Sequence, residues 1–134
     1  MKVILDTNIF ISALFWGGKP QEVVKACLDD KYELVTSTEI LNEYFKVTEL
    51  LVKKYTPKED VYNLLDYIVR NSTLVAPVKT GPITADPKDD MFFEAAISSG
   101  TKLIVSGDKH LLDKSAYMGI SVLTAADFLQ AERI

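Results

Sequence analysis

Five short runs of apolar residues constrain the fold of this chain most, because each is followed by a segment in which apolar side chains recur with helical spacing. The runs predict strands over 3–5, 33–35, 73–76, 102–105 and 120–123. Strands that do not alternate polar and apolar side chains are buried on both faces, which is typical of parallel sheets covered by helices. The pattern predicts an α/β protein, a three-layer α/β/α sandwich with a central parallel sheet of about five strands.

Helical spacing predicts helices between and after these strands. They cover residues 6–14, 22–28, a segment from the capping-box pattern at 36–39 to about 53, 57–68, 89–99, 109–114 and 125–132. Pro57 at a first helical position and Gly100 after a last one support two of these boundaries. The segment 77–87 contains Gly81 and Pro82 and is predicted to be a loop.

The length of 134 residues predicts a single domain over 1–134. Apolar residues make up 48% of the chain and charged residues 25%, which is ordinary for a globular protein. The one cysteine, Cys27, cannot form an internal disulfide, and no apolar run approaches the roughly 18 residues of a membrane-spanning helix. The first residues do not form a signal-peptide pattern. We therefore expect a cytoplasmic protein that makes no membrane contact.

Two acidic residues follow predicted strands at their carboxyl ends. Asp6 comes directly after the first strand, and Asp108 follows the fourth strand through Ser106 and Gly107. In open parallel sheets, ligands bind beyond the carboxyl ends of the strands, near the point where the strand order reverses. If the first and fourth strands are neighbours, Asp6 and Asp108 face each other across one crevice.

Glu43 is a further candidate because it lies on the partly apolar side of its predicted helix. It shares a strip with Ile40, Val47 and Leu50, and no lysine or arginine lies one turn away on that strip. Burying an unpaired carboxylate is costly, so Glu43 needs a metal ion or another part of the fold as its partner.

An acidic cluster, Asp86, Asp89 and Asp90, opens the helix before the fourth strand. Asp86, ahead of Pro87, is also a natural helix N-cap, and the other candidate acids can each cap a helix or lie at an exposed rim. Acids gathered at one sheet edge repel one another unless a cation is present. Without local histidine or cysteine partners, they suit Mg²⁺ or Mn²⁺ rather than zinc.

The net charge of −4 argues against a protein that coats nucleic acid by surface charge alone. It leaves open an acidic site that reaches phosphate groups through metal ions. With Asp6, Glu43, Asp90 and Asp108 set aside, 15 basic and 15 acidic residues remain. The acidic composition is therefore no objection to a polyanionic substrate.

Four segments resemble, in order, the motifs of a PIN domain, the fold of many small metal-dependent nucleases. They are 6–8, 37–44, 86–96 and 104–108, and together they span most of the chain. The resemblance implies a divalent-metal-dependent endoribonuclease that hydrolyses RNA phosphodiester bonds. It further implies the VapC-like type, the toxin of a toxin–antitoxin pair.

The resemblance also implies roles for individual residues. The set that would hold Mg²⁺ or Mn²⁺ and carry catalysis is Asp6, Glu43, Asp90 and Asp108. The ion and a carboxylate would activate a water for in-line attack on the RNA, and family members leave a 5′-phosphate and a 3′-hydroxyl. A protein antitoxin and a homodimer are the partners that the resemblance implies.

Three more residues have supporting or alternative roles by the same resemblance. Asn8 and Ser106 would support the acids or contact the substrate, and Ser106 stands where threonine is common. Asp89 is an alternative ligand to Asp90. Asp90 is preferred because it lies 18 residues before Asp108, as the family pattern suggests.

Partner contacts need exposed apolar side chains, and four aromatic residues are predicted to be exposed. They are Phe15, Trp16, Tyr44 and Phe45. Either the antitoxin or a second copy of the chain could use them.

Other functions share parts of this pattern. A haloacid-dehalogenase-type phosphatase also has an aspartate after its first strand, but it needs a second acid where Asn8 stands. A signalling receiver domain needs an aspartate after its third strand, where Ala76 and Pro77 stand. A non-catalytic PIN-like module that binds RNA or protein would not need the four acids that are present here.

Overall fold

The computed structural model describes residues 1–29, 31–56 and 60–132. Its strands are β1 Lys2–Leu5, β2 Glu33–Ser37, β3 Ser72–Val75, β4 Leu103–Val105 and β5 Ser121–Leu123. They form one parallel sheet in the order β3-β2-β1-β4-β5. The predicted α/β fold with a central parallel sheet is confirmed.

Helices flank the sheet. They are α1 Thr7–Phe15, α2 Gly18–Cys27, α3 Thr38–Val52, α4 Val61–Arg70, α5 Pro87–Ser99, α6 Lys109–Leu112 and α7 Ala125–Glu132. A short 3₁₀ turn, Tyr117–Gly119, was not predicted from the sequence and leads into β5. Over the described ranges, none of the helices has both the length and the apolar character needed to cross a membrane.

The first strand lies at the centre of the sheet. β1 pairs with β2 on one side and with β4 on the other, and Val3, Ile4 and Leu5 are buried. Burial of consecutive residues means that helices cover both faces, as the apolar run predicts. From β1 the chain proceeds to β2 and β3 on one side and later returns to β4 and β5 on the other. The strand order therefore reverses between β1 and β4, where open α/β sheets bind ligands.

The pairing register brings the ends of β1 and β4 together. Leu5 pairs with Val105, and the backbone N–H of Asp6 donates to the Val105 carbonyl at 3.0 Å. Asp6 and Ser106, the first residues beyond these two strands, consequently lie side by side. The predicted neighbourhood of the first and fourth strands is confirmed.

The start of α3 differs by one residue from the predicted capping box. Thr36 still belongs to β2, so the helix N-cap is Ser37, whose hydroxyl accepts the backbone N–H of Ile40 at 3.2 Å. Part of the predicted start of α4, residues 57–59, lies outside the described residues. Asp60 is the N-cap of α4 and accepts the N–H of Asn63.

Two of the four aromatic residues predicted to be exposed are buried. Phe15 and Tyr44 pack in the core, whereas Trp16 and Phe45 are 50% and 41% exposed. Trp16 packs edge-on against Tyr55, with the ring centroids 5.5 Å apart. Phe15 and Tyr44 are buried because they lie on the helix faces that pack inward. Neighbouring positions in the sequence do not show which face of a helix packs inward.

The thiol of Cys27 is expected to be unreactive in the folded protein. Cys27 is buried, and burial together with the nearby Glu132 raises its pKa from 9.0 to about 12. A rise of this size lowers the thiolate fraction by about a thousandfold, and the thiolate is the reactive form. The test compares labelling by a thiol reagent in buffer and in guanidinium chloride, with Cys27→Ser as the blank. Equal rates in the two solvents would show that this site is open to solvent.

Candidate active site

An acidic cleft opens at the carboxyl edge of the sheet, beside the point where the strand order reverses. Its volume is about 180 Å³. The residues that line it are Asp6, Thr7, Asn8, Glu43, Asp86, Lys88, Asp89, Met91, Phe92 and Asp108. We call this feature the acid cleft. Five of these side chains are carboxylates, from four separate parts of the sequence.

Asp6 lines the acid cleft and is only 4% exposed. It occupies the N-cap position of α1, but its side chain makes no capping hydrogen bond. Instead, its Oδ2 accepts a hydrogen bond from the Ser106 hydroxyl at 2.7 Å. Burial raises the pKa of Asp6, the Ser106 hydrogen bond opposes that rise, and the charge of Asp108 adds to it. The ionised carboxylate is thus held in an unfavourable environment.

Ser106 links the two acids that follow β1 and β4. It is fully buried; its hydroxyl donates to Asp6 and accepts the backbone N–H of Asp108 at 2.9 Å. Asp108 in turn caps α6, with Oδ1 accepting the N–H of His110 at 2.7 Å. The capping interpretation of Asp108 is therefore correct, and the same side chain also lines the acid cleft.

Glu43 reaches the acid cleft from α3. Its side chain is half-buried, and the described residues give it neither a hydrogen bond nor an ion pair. This matches the sequence expectation that no basic partner lies on its helix strip. Glu43 thus presents a carboxylate to the acid cleft that is free to accept a ligand.

Asp86 and Asp89 enter the acid cleft from the start of α5. Asp86 is the N-cap, with Oδ1 accepting the N–H of Lys88 at 3.0 Å. The Oδ2 atom of Asp89 is buried and has no hydrogen-bond partner among the described residues. Burial, followed by the charges of Asp108, Asp86 and Asp6, raises the pKa of Asp89 from 3.8 to about 6.

Asp90 points elsewhere, although the sequence spacing favours it over Asp89. Its carboxylate accepts hydrogen bonds from the backbone N–H groups of Thr84 (2.7 Å) and Ile83 (3.3 Å) and from the Thr84 hydroxyl (2.7 Å). One helical turn later, the buried Glu94 accepts the N–H of Thr80 at 3.0 Å. Asp90 and Glu94 thus hold the loop before α5 in place, and Asp90 does not line the acid cleft.

Three lining residues differ in how far the sequence identified them. Asn8, predicted to support the acids, is exposed and lines the acid cleft. Thr7 was not singled out; its Oγ1 is buried and, among the described residues, has no hydrogen-bond partner. Lys88 was not identified from the sequence either. Its side chain adds a positive charge to a cleft lined by five carboxylates. Their positions directly after candidate acids or between them are the only signal in the sequence.

The chemistry of the acid cleft suits a divalent cation bound by oxygen ligands. Mg²⁺ and Mn²⁺ prefer carboxylate, hydroxyl and water oxygens. Unpartnered buried oxygens of Asp89 and Thr7 face a cleft crowded with like charges, which is the electrostatic setting that a cation would relieve. Across the described part of the chain, however, no three acidic, histidine or cysteine side chains already stand in the arrangement of a metal site. A bound ion would therefore require these side chains to move from the positions they occupy here.

A larger cavity, of about 570 Å³, lies at the opposite edge of the sheet, near the starts of β1, β4 and β5. Its lining is mainly apolar and includes Tyr32, Leu123 and Phe128. The Tyr32 hydroxyl donates to Glu132 there, so the acid is already paired. Because it lacks a cluster of acids, this cavity does not offer the chemistry of the acid cleft.

Known proteins resemble this chain in sequence and in fold. The family model described as PIN domain matches residues 2–110, which include every residue that lines the acid cleft. The uncharacterized protein MJ1680 of Methanocaldococcus jannaschii is 31% identical over 127 residues, covering 90% of this chain and 81% of that protein.

A solved structure is similar in fold. The crystal structure of VapBC2 from Rickettsia felis bound to a DNA fragment from their promoter matches with a TM-score of 0.62 at 15% identity. The match covers 92% of this chain and 98% of the matched chain. At this level of identity, the likeness concerns the fold alone.

Proposed function

The chain belongs to the PIN domain family, and on this basis we propose that it is a divalent-metal-dependent endoribonuclease whose active site is the acid cleft. The observation that carries the proposal is the buried, unpartnered Oδ2 of Asp89 among the carboxylates at the end of β1 and β4. In this proposal, residues 1–134 form one nuclease domain.

The metal ligands that the geometry supports best are Asp6, Glu43, Asp89 and Asp108. Asp89 replaces Asp90 in this set because the Asp90 carboxylate is occupied by the loop before α5, whereas Asp89 faces the acid cleft. Mg²⁺ or Mn²⁺ is the proposed ion, in keeping with the all-oxygen donor set.

The residues in and beside the acid cleft would have separate roles in hydrolysis. A divalent cation bound there would stabilise the negative charge that develops on the phosphodiester. Ser106 holds Asp6 in one orientation by its hydrogen bond, and the backbone of Asp108 holds Ser106. Asn8, which is exposed and lines the acid cleft, would contact the RNA backbone.

The proposed partners are RNA as the substrate, a protein antitoxin and a second copy of the chain, in the cytoplasm. The fold similarity to one chain of a VapBC2 structure supports the toxin role. The half-exposed pair of Trp16 and Tyr55 and the exposed Phe45 offer apolar surface for such contacts.

Lys88 is expected to contribute to RNA binding. It is the one cation among the described residues that line the acid cleft, and it forms no ion pair with another described residue. Lys88→Gln, measured by fluorescence anisotropy in an Asp6→Asn background, should weaken RNA binding. It should also reduce the slope of log affinity against log salt by about 0.7, the value for one phosphate contact on a single strand.

Lys109→Gln is the matched control for Lys88. Lys109 is also exposed and near the acids, since it follows Asp108, but it does not line the acid cleft. If the two substitutions changed the salt slope equally, the effect would belong to the overall charge and not to Lys88.

The proposed function is tested by cleavage of a mixed, end-labelled RNA pool. The purified protein is assayed with Mg²⁺, with Mn²⁺ and with EDTA, beside the Asp6→Asn variant. We expect internal cuts that require the ion and that vanish in Asp6→Asn. Binding of Mn²⁺ without cleavage of any RNA in the pool would contradict the nuclease proposal, and RNA binding without metal binding would favour the non-catalytic module.

A further inference from the structure

Tyr44 joins two of the elements that carry the acids of the cleft. It follows Glu43 on α3, is 4% exposed, and donates its hydroxyl hydrogen bond to the carbonyl oxygen of Leu5. Leu5 is the last residue of β1 and directly precedes Asp6. The hydrogen bond therefore spans 39 positions of the chain and ends one residue from an acid on each side.

The ring of Tyr44 reinforces this connection. It stacks on Phe10 with the centroids 4.2 Å apart and an interplanar angle of 7°. Phe10 lies one helical turn after Asp6, and its N–H donates to the Asp6 carbonyl at 3.2 Å. The hydroxyl thus holds β1 and the ring holds α1, on the two sides of Asp6.

The acids of the cleft repel one another, so the elements that carry them need an opposing attraction. Ser106 provides it between Asp6 and Asp108. The hydrogen bond from Tyr44 to Leu5 provides it between α3, which carries Glu43, and β1, which leads into Asp6. We propose that Tyr44 is a positioning residue, which fixes α3 against the end of β1 so that Glu43 and Asp6 can bind the same divalent cation.

This inference rests on the proposed metal site, and its test uses Mn²⁺ binding as the readout. Substitution of a residue that orients a metal ligand typically lowers metal affinity by 10- to 100-fold, so Tyr44→Phe should weaken Mn²⁺ binding by about tenfold. The phenylalanine keeps the ring and its stacking on Phe10 and removes only the hydroxyl. Binding is measured by calorimetry at a temperature where circular dichroism shows each variant to be folded.

Thr48→Val is the matched control. Thr48 is a fully buried residue one turn further along α3, and its hydroxyl donates to the carbonyl of Tyr44 at 2.7 Å. Removing it also deletes one buried hydroxyl from α3, but that hydroxyl does not reach β1. We expect Mn²⁺ affinity within about twofold of the wild type, because no metal-orienting contact is lost.

A double-mutant cycle separates positioning from general destabilisation. If Tyr44 acts by setting the place of Glu43, Tyr44→Phe should have less than about a twofold effect on Mn²⁺ affinity in a Glu43→Gln background, because interacting residues are not additive. An undiminished effect in that background would overturn the inference.

Further results would also decide the question. Unchanged Mn²⁺ affinity in Tyr44→Phe, an equal loss in Thr48→Val, or failure of Tyr44→Phe to fold would each overturn it. If the wild type binds Mn²⁺ but cleaves no RNA, the proposed function fails while the positioning role is still decided by Mn²⁺ affinity. If the wild type binds no Mn²⁺, both fail.

Discussion

Asp6→Asn is expected to reduce metal-dependent RNA cleavage by at least about 100-fold, because it removes one negative charge from the acid cleft. Asp6 is buried, is held by Ser106, and lies beside Asp108. Asparagine keeps the shape of the side chain and can still accept the Ser106 hydrogen bond. The measurement is single-turnover cleavage of labelled RNA at saturating Mg²⁺.

The same substitution should leave the fold intact. Burial raises the pKa of Asp6, so the ionised carboxylate destabilises the folded protein when no cation is bound, and neutral asparagine removes that cost. In EDTA, the melting temperature of Asp6→Asn should therefore equal or exceed that of the wild type. Asp29→Asn, at an exposed position, is the control for loss of one negative charge. A lower melting temperature together with lost activity would assign Asp6 to the fold.

Asp89→Asn and Asp90→Asn are expected to have opposite effects, although the two residues are adjacent. Asp89 faces the acid cleft with a buried oxygen that lacks a partner, so its substitution should abolish Mn²⁺ binding and lower cleavage by at least about 100-fold. In EDTA its stability should not fall, because the ionised carboxylate is already disfavoured there by burial and by its acidic neighbours.

Asp90→Asn should instead lower stability and spare the chemistry. The Asp90 carboxylate accepts three hydrogen bonds from Ile83 and Thr84, and both of its oxygens take part. In asparagine one of these oxygens is replaced by an amide nitrogen, which cannot accept a hydrogen bond. We expect a loss of about 1–2 kcal/mol in the free energy of unfolding, with cleavage within a few-fold of the wild type at a temperature where the variant is folded. Lost Mn²⁺ binding in Asp90→Asn, with normal binding in Asp89→Asn, would restore Asp90 as the ligand.

Much of the fold follows from local patterns in the sequence. The apolar runs correspond to the five strands within one or two residues, because a strand buried on both faces must be apolar throughout. Start and stop signals also hold: Asp86 and Gly100 bound α5 as N-cap and left-handed C-cap. The predicted end of a strand is less accurate where it depends on a neighbouring strand. For example, β2 continues to Ser37 because it pairs with β3 as far as Val75.

The candidate site is predictable in part for the same reason. Asp6 and Asp108 follow strands, and parallel strands end at one edge, so their proximity follows once β1 and β4 are adjacent. Glu43 was singled out by its helix strip and does line the acid cleft. Lys88 and Thr7 could not be identified, since their roles depend on which acids surround them in space.

Strand burial and residue order along the chain are enough to predict that Asp6 and Asp108 follow strands at the carboxyl edge of a parallel sheet. Which of Asp89 and Asp90 enters the acid cleft depends on how α5 packs in the folded protein. Adjacent residues on an α-helix point about 100° apart, and the packing of α5 against the sheet and the preceding loop sets which one faces inward. The contact of Tyr44 with Leu5 is equally invisible in the sequence, because it joins two segments only after β1 and α3 have packed.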